Sequence, residues 1–354
     1  MKLIRNKSQV EVFTTIDQKN LNLASSSALG AEALGFDGIY TLENKHDPYL
    51  PLASATVTTE KISLLTGIAL SFTRSPMLTA NLAWDLQVSS DGRFILGLGP
   101  QIKAHNVRRF SVPWSAPAPR MKEYVLAIRH IWNCWKNGAK LDFQGKFYKL
   151  DLMPPNFVPE KSNVKPPPIF LGAVGPSMMQ VAGEVADGVI LHPLCTEKYY
   201  NKVVLPNLTL GLKKAKKKRE NFKVVGGRFF NTGRSEDDVN LKRKWARERI
   251  AFYSSTPAYW PVLESEGIEE LGPVLRDLTR QGKWSEMAGI VPENFVEACC
   301  LNGTHTEIAE HVNKKVAQQI DTILVSQSYE QQIWLPTETL NSLRSINTPF
   351  KKYI

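Results

Sequence analysis

The feature that most limits the fold of this chain is a recurrent alternation. Short apolar runs at 10–15, 38–42, 63–69, 94–98, 169–173, 188–192, 223–231 and 322–326 are separated by stretches with helical spacing. Strand–helix repeats of this kind build parallel sheets, because parallel neighbours need a crossover between them. Eight units predict a closed (β/α)8 barrel, since closure removes the exposed edges. A doubly wound open sheet is the alternative. The whole chain, 1–354, is expected to form one such domain. Two segments stand outside the alternation. The stretch 138–168, rich in Pro and Gly, predicts an insertion after the fourth helix. The stretch 254–297, with Trp260, Trp284 and many charges, predicts extra helical structure before the eighth strand.

Caps sharpen several helices. A helix over 21–34 begins after Asn20, a good N-cap, and stops at Gly35. A second over 121–135 places Met121, Tyr124, Val125, Ile128, Ile131, Trp132 and Trp135 on one wide apolar face. Ser235 with Asp238, and Thr304 with Glu307, have the spacing of capping boxes.

Composition narrows the class. Hydrophobic residues make up 43% and charged residues 22%, the balance of a globular enzyme. No run of about 18 apolar residues occurs, so no membrane span is expected. The N-terminus lacks an apolar signal core, and four cysteines show no metal-ligand spacing; both favour a cytoplasmic protein. The net charge is +10, with much of it in the run 213–219. That run has no interleaved aromatics or glycines, so it predicts a solvated helix end and no nucleic-acid partner. The six histidines form no paired ligand motif, which argues against a metal-dependent barrel hydrolase.

Four places carry candidate chemistry. At 34–48 a strand delivers Glu43 and then His46 to its C-terminal end, where barrel chemistry sits. Both side chains can exchange protons; an exposed loop with Asp47 capping the next helix is the plainer alternative. At 63–76 a strand runs into Gly67 and a polar turn, which marks a bulge, a close backbone approach or a packing glycine. At 94–101 Gly97-Leu98-Gly99 follows a strand without the spacing of a dinucleotide fingerprint, with Gln101 and His105 just downstream. At 167–177 a strand ends in small residues and a helix starts at once, with Pro176 suited to its first turn. Small side chains there let an anion reach free N–H groups at the helix start.

The phrases ALGFDGIYTLE, GRFILGLG, PRMKEYVLAIRHIW, LDFQGKFYKL and PPIFLGAVGPSMMQVAGEVADGVILHP, in this order, resemble the luciferase-like monooxygenase superfamily. The phrase RIAFYSSTPAYWPVLE at 249–264 further resembles its F420-dependent branch. The resemblance implies a barrel that binds coenzyme F420 at its strand C-termini and passes a hydride to or from a small organic substrate. It implies a cis peptide at Gly67–Ile68 behind the cofactor ring. Gly175, Pro176 and Ser177, entered through Ala173 and Val174, match the helix start that holds the cofactor phosphate. Gln101 and His105 match a loop bordering ring and substrate, and Glu43 a polar position beside the ring. Where many relatives place His directly after that acid, this chain has Asn44, and the nearest imidazole is His46.

Two other functions stay open on the same barrel. One is an FMN-dependent monooxygenase that uses oxygen and a partner flavin reductase. The other is a flavin-binding protein without catalysis. The resemblance leaves room for a homodimer.

Overall fold

The computed structural model describes residues 8–326 and 332–353. Eight parallel strands form the barrel: β1 (Glu11–Thr15), β2 (Gly38–Thr41), β3 (Ser63–Thr66), β4 (Phe94–Gly99), β5 (Ile169–Ala173), β6 (Gly188–Leu191), β7 (Lys223–Gly226) and β8 (Thr322–Leu324). Neighbours pair in chain order, β8 returns to β1, and β3 pairs with β4, so the ring is closed.

Strand alternation explains the interior. Phe13, Tyr40, Leu65, Ile95, Phe170, Ile190, Val225 and Leu324 form one buried cluster, one residue from each strand. Their sequence neighbours face outward into the larger core beneath the helices. Large and small residues interlock in the lower layer. A Cβ on Gly38 would come within 2.3 Å of the Phe13 ring, and one on Gly188 within 2.7 Å of Phe170.

The helix signals hold. Leu21–Leu34 is helical, Asn20 accepts the Leu23 N–H, and Gly35 closes it at φ 90°. Pro117–Asn137 buries all seven expected apolar residues and ends at Gly138, φ 66°. Ser235 accepts from Asp238 N–H. The expected box at Thr304 forms by half: Glu307 accepts the Thr304 N–H, but Thr304 ends a strand and the helix starts only at Ile308.

One expected strand is two. The run 223–231 turns after Gly226 and Gly227, whose φ values of 74° and 111° suit glycine. Phe229–Gly233 then pairs with Cys300–Thr304 in a separate parallel two-stranded sheet. The helix Glu236–Ser254 leaves this sheet, and the helices between residues 260 and 299 follow it. The stretch 138–168 holds a short antiparallel pair, Phe143–Gln144 with Lys149–Leu150.

Candidate active site at the barrel mouth

The C-terminal end of β3 breaks its ladder. Leu65 pairs with Ile95, and Ala69 with Leu98, so β3 spends four steps where β4 takes three. The extra residue makes a bulge. Within it the Gly67–Ile68 peptide is cis. Ladder bonds resume on both sides: Gly67 N–H donates to Thr41 O at 2.7 Å, and Ser71 N–H to Gly99 O at 2.9 Å.

The bulge swings Ile68 over the barrel interior. A Cβ on Gly99 would lie 2.6 Å from Ile68, and one on Gly172 3.2 Å from it. Gly97 faces the Thr66 carbonyl, where a Cβ would stand at 1.8 Å. These glycines are therefore room for the bulge. Gly67 itself abuts Tyr40. Glycines from three strands and Ile68 together make a flat, apolar floor at the mouth.

Glu43, at the end of β2, is tied to that bulge. Its carboxylate accepts from Leu70 N–H at 2.6 Å and from Arg74 Nη1 at 2.8 and 2.9 Å. The other Arg74 nitrogen donates to Asp47 at 2.9 Å. Burial alone would depress the Arg74 guanidinium, but the Glu43 carboxylate outweighs it and raises its pKa. Asp47 also accepts from the N–H groups of Tyr49 and Leu50, capping the helix Tyr49–Thr58.

The remaining expected residues line the rim. His46 is half-buried in the same loop. Gln101 has φ 58°, and its side chain accepts from Ile102 N–H. His105 is exposed on the short helix Lys103–Arg108. Arg109, just beyond, donates to Asn44 O, so this segment leans across the bulge toward β2.

On the other side of the floor, β5 ends at Ala173 and the helix Pro176–Val185 starts at once. No side chain caps this helix, and Ser177 is exposed. A Cβ on Gly175 would meet nothing within 4 Å, although its φ of −74° suits any residue. The helix start is thus open and uncapped, with its dipole and free N–H groups facing outward. An anionic phosphate fits there. No cluster of metal-ligating side chains occurs among the described residues.

Beside this site the structure packs together rings that sequence reading did not connect. His192 follows β6, and its ring meets those of Tyr253 and Tyr259, each at 4.4 Å. Burial pushes its pKa down to about 3. A histidine at a strand's C-terminal end was the signal available in the sequence.

A parallel barrel with a bulged floor, beside an open helix start, has the shape that a flat cofactor with an anionic tail would fit. The family model for luciferase-like monooxygenases matches residues 7–322, and the chain belongs to that family. An uncharacterized protein of Mycobacterium tuberculosis is 41% identical over 85% of this chain and 88% of its own length. The 5,10-methylenetetrahydromethanopterin reductase of Archaeoglobus fulgidus is 28% identical, covering 80% and 83%. Among solved structures, the coenzyme F420-dependent tetrahydromethanopterin reductase of Methanopyrus kandleri superposes with a TM-score of 0.72 at 20% identity, covering 96% and 98%. The FMN-bound oxygenating constituent of 3,6-diketocamphane monooxygenase from Pseudomonas putida gives 0.62 at 15%, covering 98% and 100%. The chain therefore carries the luciferase-like oxidoreductase fold, whose neighbours use a flavin or a deazaflavin. No described helix is long and apolar enough to cross a membrane.

Proposed function

We propose that this protein is an F420-dependent oxidoreductase that transfers a hydride to or from a small organic substrate. The observation that carries this reading is the pairing of an open helix start at Gly175–Ser177 with the bulged floor at Gly67–Ile68. Ala173, Val174, Gly175, Pro176 and Ser177 would hold the cofactor phosphate. Gly67 and Ile68 would support the ring, and Gln101 would border it. The bound cofactor would supply the hydride chemistry. His46 and His105 are our candidates for proton exchange at the rim. Glu43, engaged by Arg74 and Leu70 N–H, would act beside the ring by holding the bulge. The reductase at 28% identity favours the deazaflavin, since its namesake from Methanopyrus kandleri is the coenzyme F420-dependent neighbour.

FMN is the second reading, favoured by the FMN-bound neighbour; it would require a reductase partner. Four buried free thiols suit a cytoplasmic setting. A homodimer fits the helix Tyr49–Thr58, which carries no charge and exposes Leu50 and Val57. Mass spectrometry of the chromophore taken up by purified protein tests the central proposal. Uptake of F420 in preference to FMN is the expected result, and selective uptake of FMN would replace the first reading with the second.

A further inference from the structure

The segment 347–353 is strapped across the N-terminal end of the barrel. Thr348 N–H donates to Ser8 O at 2.7 Å, and Asn347 bridges Gln9, just before β1. The N–H groups of Lys351 and Lys352 donate to Glu220 O at 2.7 and 3.2 Å, just before β7. Phe350 N–H donates to the Asp321 carboxylate, just before β8, at 3.3 Å.

Strand alternation explains why this end needs a cover. Two residues back along each strand, the interior row of Phe13, Val225 and Leu324 continues to Glu11, Lys223 and Thr322. All three are polar and tied together: Glu11 accepts from Lys223 Nζ at 2.7 Å and from the Thr322 hydroxyl at 3.3 Å. Gly38 and Gly188, the first residues of β2 and β6, add no side chain. The strands themselves therefore supply little apolar filling at this end.

Tyr353 supplies it. It packs against the interior cluster at the end opposite Leu42 and Ile68, which do the same from the mouth. Its ring lies 6.1 Å from that of Phe170 and 5.0 Å from that of Phe350. The Lys223 ammonium sits over both tail rings, 4.7 Å from Phe350 and 5.7 Å from Tyr353, and this lysine is only 4% exposed. The Tyr353 hydroxyl is sealed from solvent and has no hydrogen-bond partner among the described residues. Burial, with the carboxylates of Glu11, Asp187 and Asp321 nearby, pushes its pKa well above the usual phenol value, so it stays protonated. The side chain is thus gripped by its ring and not by its hydroxyl.

We infer that the N-terminal end of the barrel is an aromatic-binding socket, lined by Phe170, Phe350 and the Lys223–Glu11 pair, which the chain fills with its own Tyr353. The ligand it takes is one uncharged aromatic ring of phenol size; the surrounding carboxylates repel an anion. Emptied of Tyr353, the socket accepts a free ring in its place. The socket does not depend on how the mouth is read.

The test uses full-length protein carrying Tyr353→Gly, Tyr353→Phe or Tyr353→Leu, with p-cresol, the tyrosine side chain as a free molecule, as probe. Tyr353→Gly should lower Tm by about 5 °C, as expected for emptying an aromatic site in a chain of this length. p-Cresol should restore part of that loss saturably and leave wild type unmoved, because its socket is filled. The saturated analogue 4-methylcyclohexanol offers Lys223 no ring face and should restore less. Tyr353→Phe should melt at or above wild type, since it removes a buried hydroxyl without a partner. Tyr353→Leu should melt below Tyr353→Phe. An unchanged Tm in Tyr353→Gly, a loss that p-cresol leaves in place, or an equal response to 4-methylcyclohexanol would overturn the socket. If Tyr353→Gly does not fold, the other two variants decide: equal Tm values for Tyr353→Leu and Tyr353→Phe would show that an aromatic ring is not what this end selects.

Discussion

At the N-terminal end of the barrel every strand-edge carboxylate is matched, whereas at the C-terminal end only the β2–β3 side is. Asp37, Asp187 and Asp321 each directly precede a strand. Each accepts the backbone N–H of a neighbouring strand residue, Val12, Ile169 and Val224 in turn, at 2.8–2.9 Å. Each also pairs with an arginine: Arg344, Arg129 and Arg219. Tyr353 and Phe350 then cover this end, with Tyr353 6.1 Å from Phe170 and Lys223 lying over Phe350. The mouth repeats the clamp once, as Glu43–Arg74–Leu70, and leaves the helix start after β5 open. Closed, repeated pairing is what stability asks of a barrel; unmatched donors beside a rigid floor are what a ligand site needs.

The sharpest way to break this contrast is Gly175→Glu. Its side chain enters open space, so stability should change by less than about 0.5 kcal/mol. A carboxylate at an anion site should weaken cofactor binding at least about a thousandfold, roughly 4 kcal/mol. Titration of cofactor absorbance or fluorescence measures it, and unchanged affinity would move the phosphate elsewhere. Asp321→Ala should do the reverse. It leaves Val224 N–H and the Arg219 guanidinium short of a partner at a site 1% exposed. A loss of about 3 kcal/mol in urea unfolding is expected. Cofactor affinity of the folded fraction should stay within about twofold, and a large loss would contradict the separation of the two ends.

Glu43→Ala addresses the one clamp at the mouth. It should cost about 2 kcal/mol, since a charge-assisted contact and a buried N–H lose their partner. Cofactor affinity should fall with it, because the bulge carrying Ile68 loses its tie. Glu43→Gln retains an acceptor for Leu70 N–H and should recover part of both losses. A residue acting only in proton exchange would leave affinity intact.

Much of the fold was legible because local rules agreed with it. Asn20 and Gly35 bound a helix in sequence and in structure, and the apolar stripe from Met121 to Trp135 is buried as its period requires. The split at Gly226–Gly227 was not legible. Both halves of 223–231 have strand character, and only pairing with Cys300–Thr304, some seventy residues away, shows that they lie in different sheets. The site divides the same way. The bulge at Gly67–Ile68 and the open helix start at Gly175 were visible through local glycine chemistry and family likeness. The engagement of Glu43 by Arg74 was not, because it joins loops 31 residues apart. The packing of His192 against Tyr253 and Tyr259 was hidden for the same reason, because a helix some sixty residues on brings those rings to it.

His192 also makes the contrast depend on pH. Its folded pKa, near 3, lies below the ordinary 6.5, so the fold prefers the neutral ring. Its contribution is whole above pH 6.5 and is lost as pH falls toward 3, because the unfolded chain then binds the extra proton. His192→Gln should remove up to about a tenfold change per pH unit in the folding equilibrium across that window. Parallel pH–stability curves for the two proteins would place His192 in a solvated setting.

The smallest expected effect concerns the lysine run at the closed end. The helical run that starts after Thr196 begins near the mouth and ends at Lys214. At about 1.5 Å per residue it spans roughly 25 Å. Lys217 then donates to Ala186 O, just before β6, which fixes this turn at the N-terminal end of the strands. Lys213, Lys214, Lys216 and Lys218 are exposed there. Their fields at the mouth are screened over several Debye lengths of about 8 Å at physiological salt. Converting these four lysines to glutamine should leave the cofactor dissociation constant within about twofold at 0.15 M salt. Stability should also hold within about 0.5 kcal/mol, since exposed charges contribute little. A tenfold loss of affinity would mean that the phosphate-bearing part of the cofactor reaches the opposite face, and the assignment of the two ends would have to be exchanged.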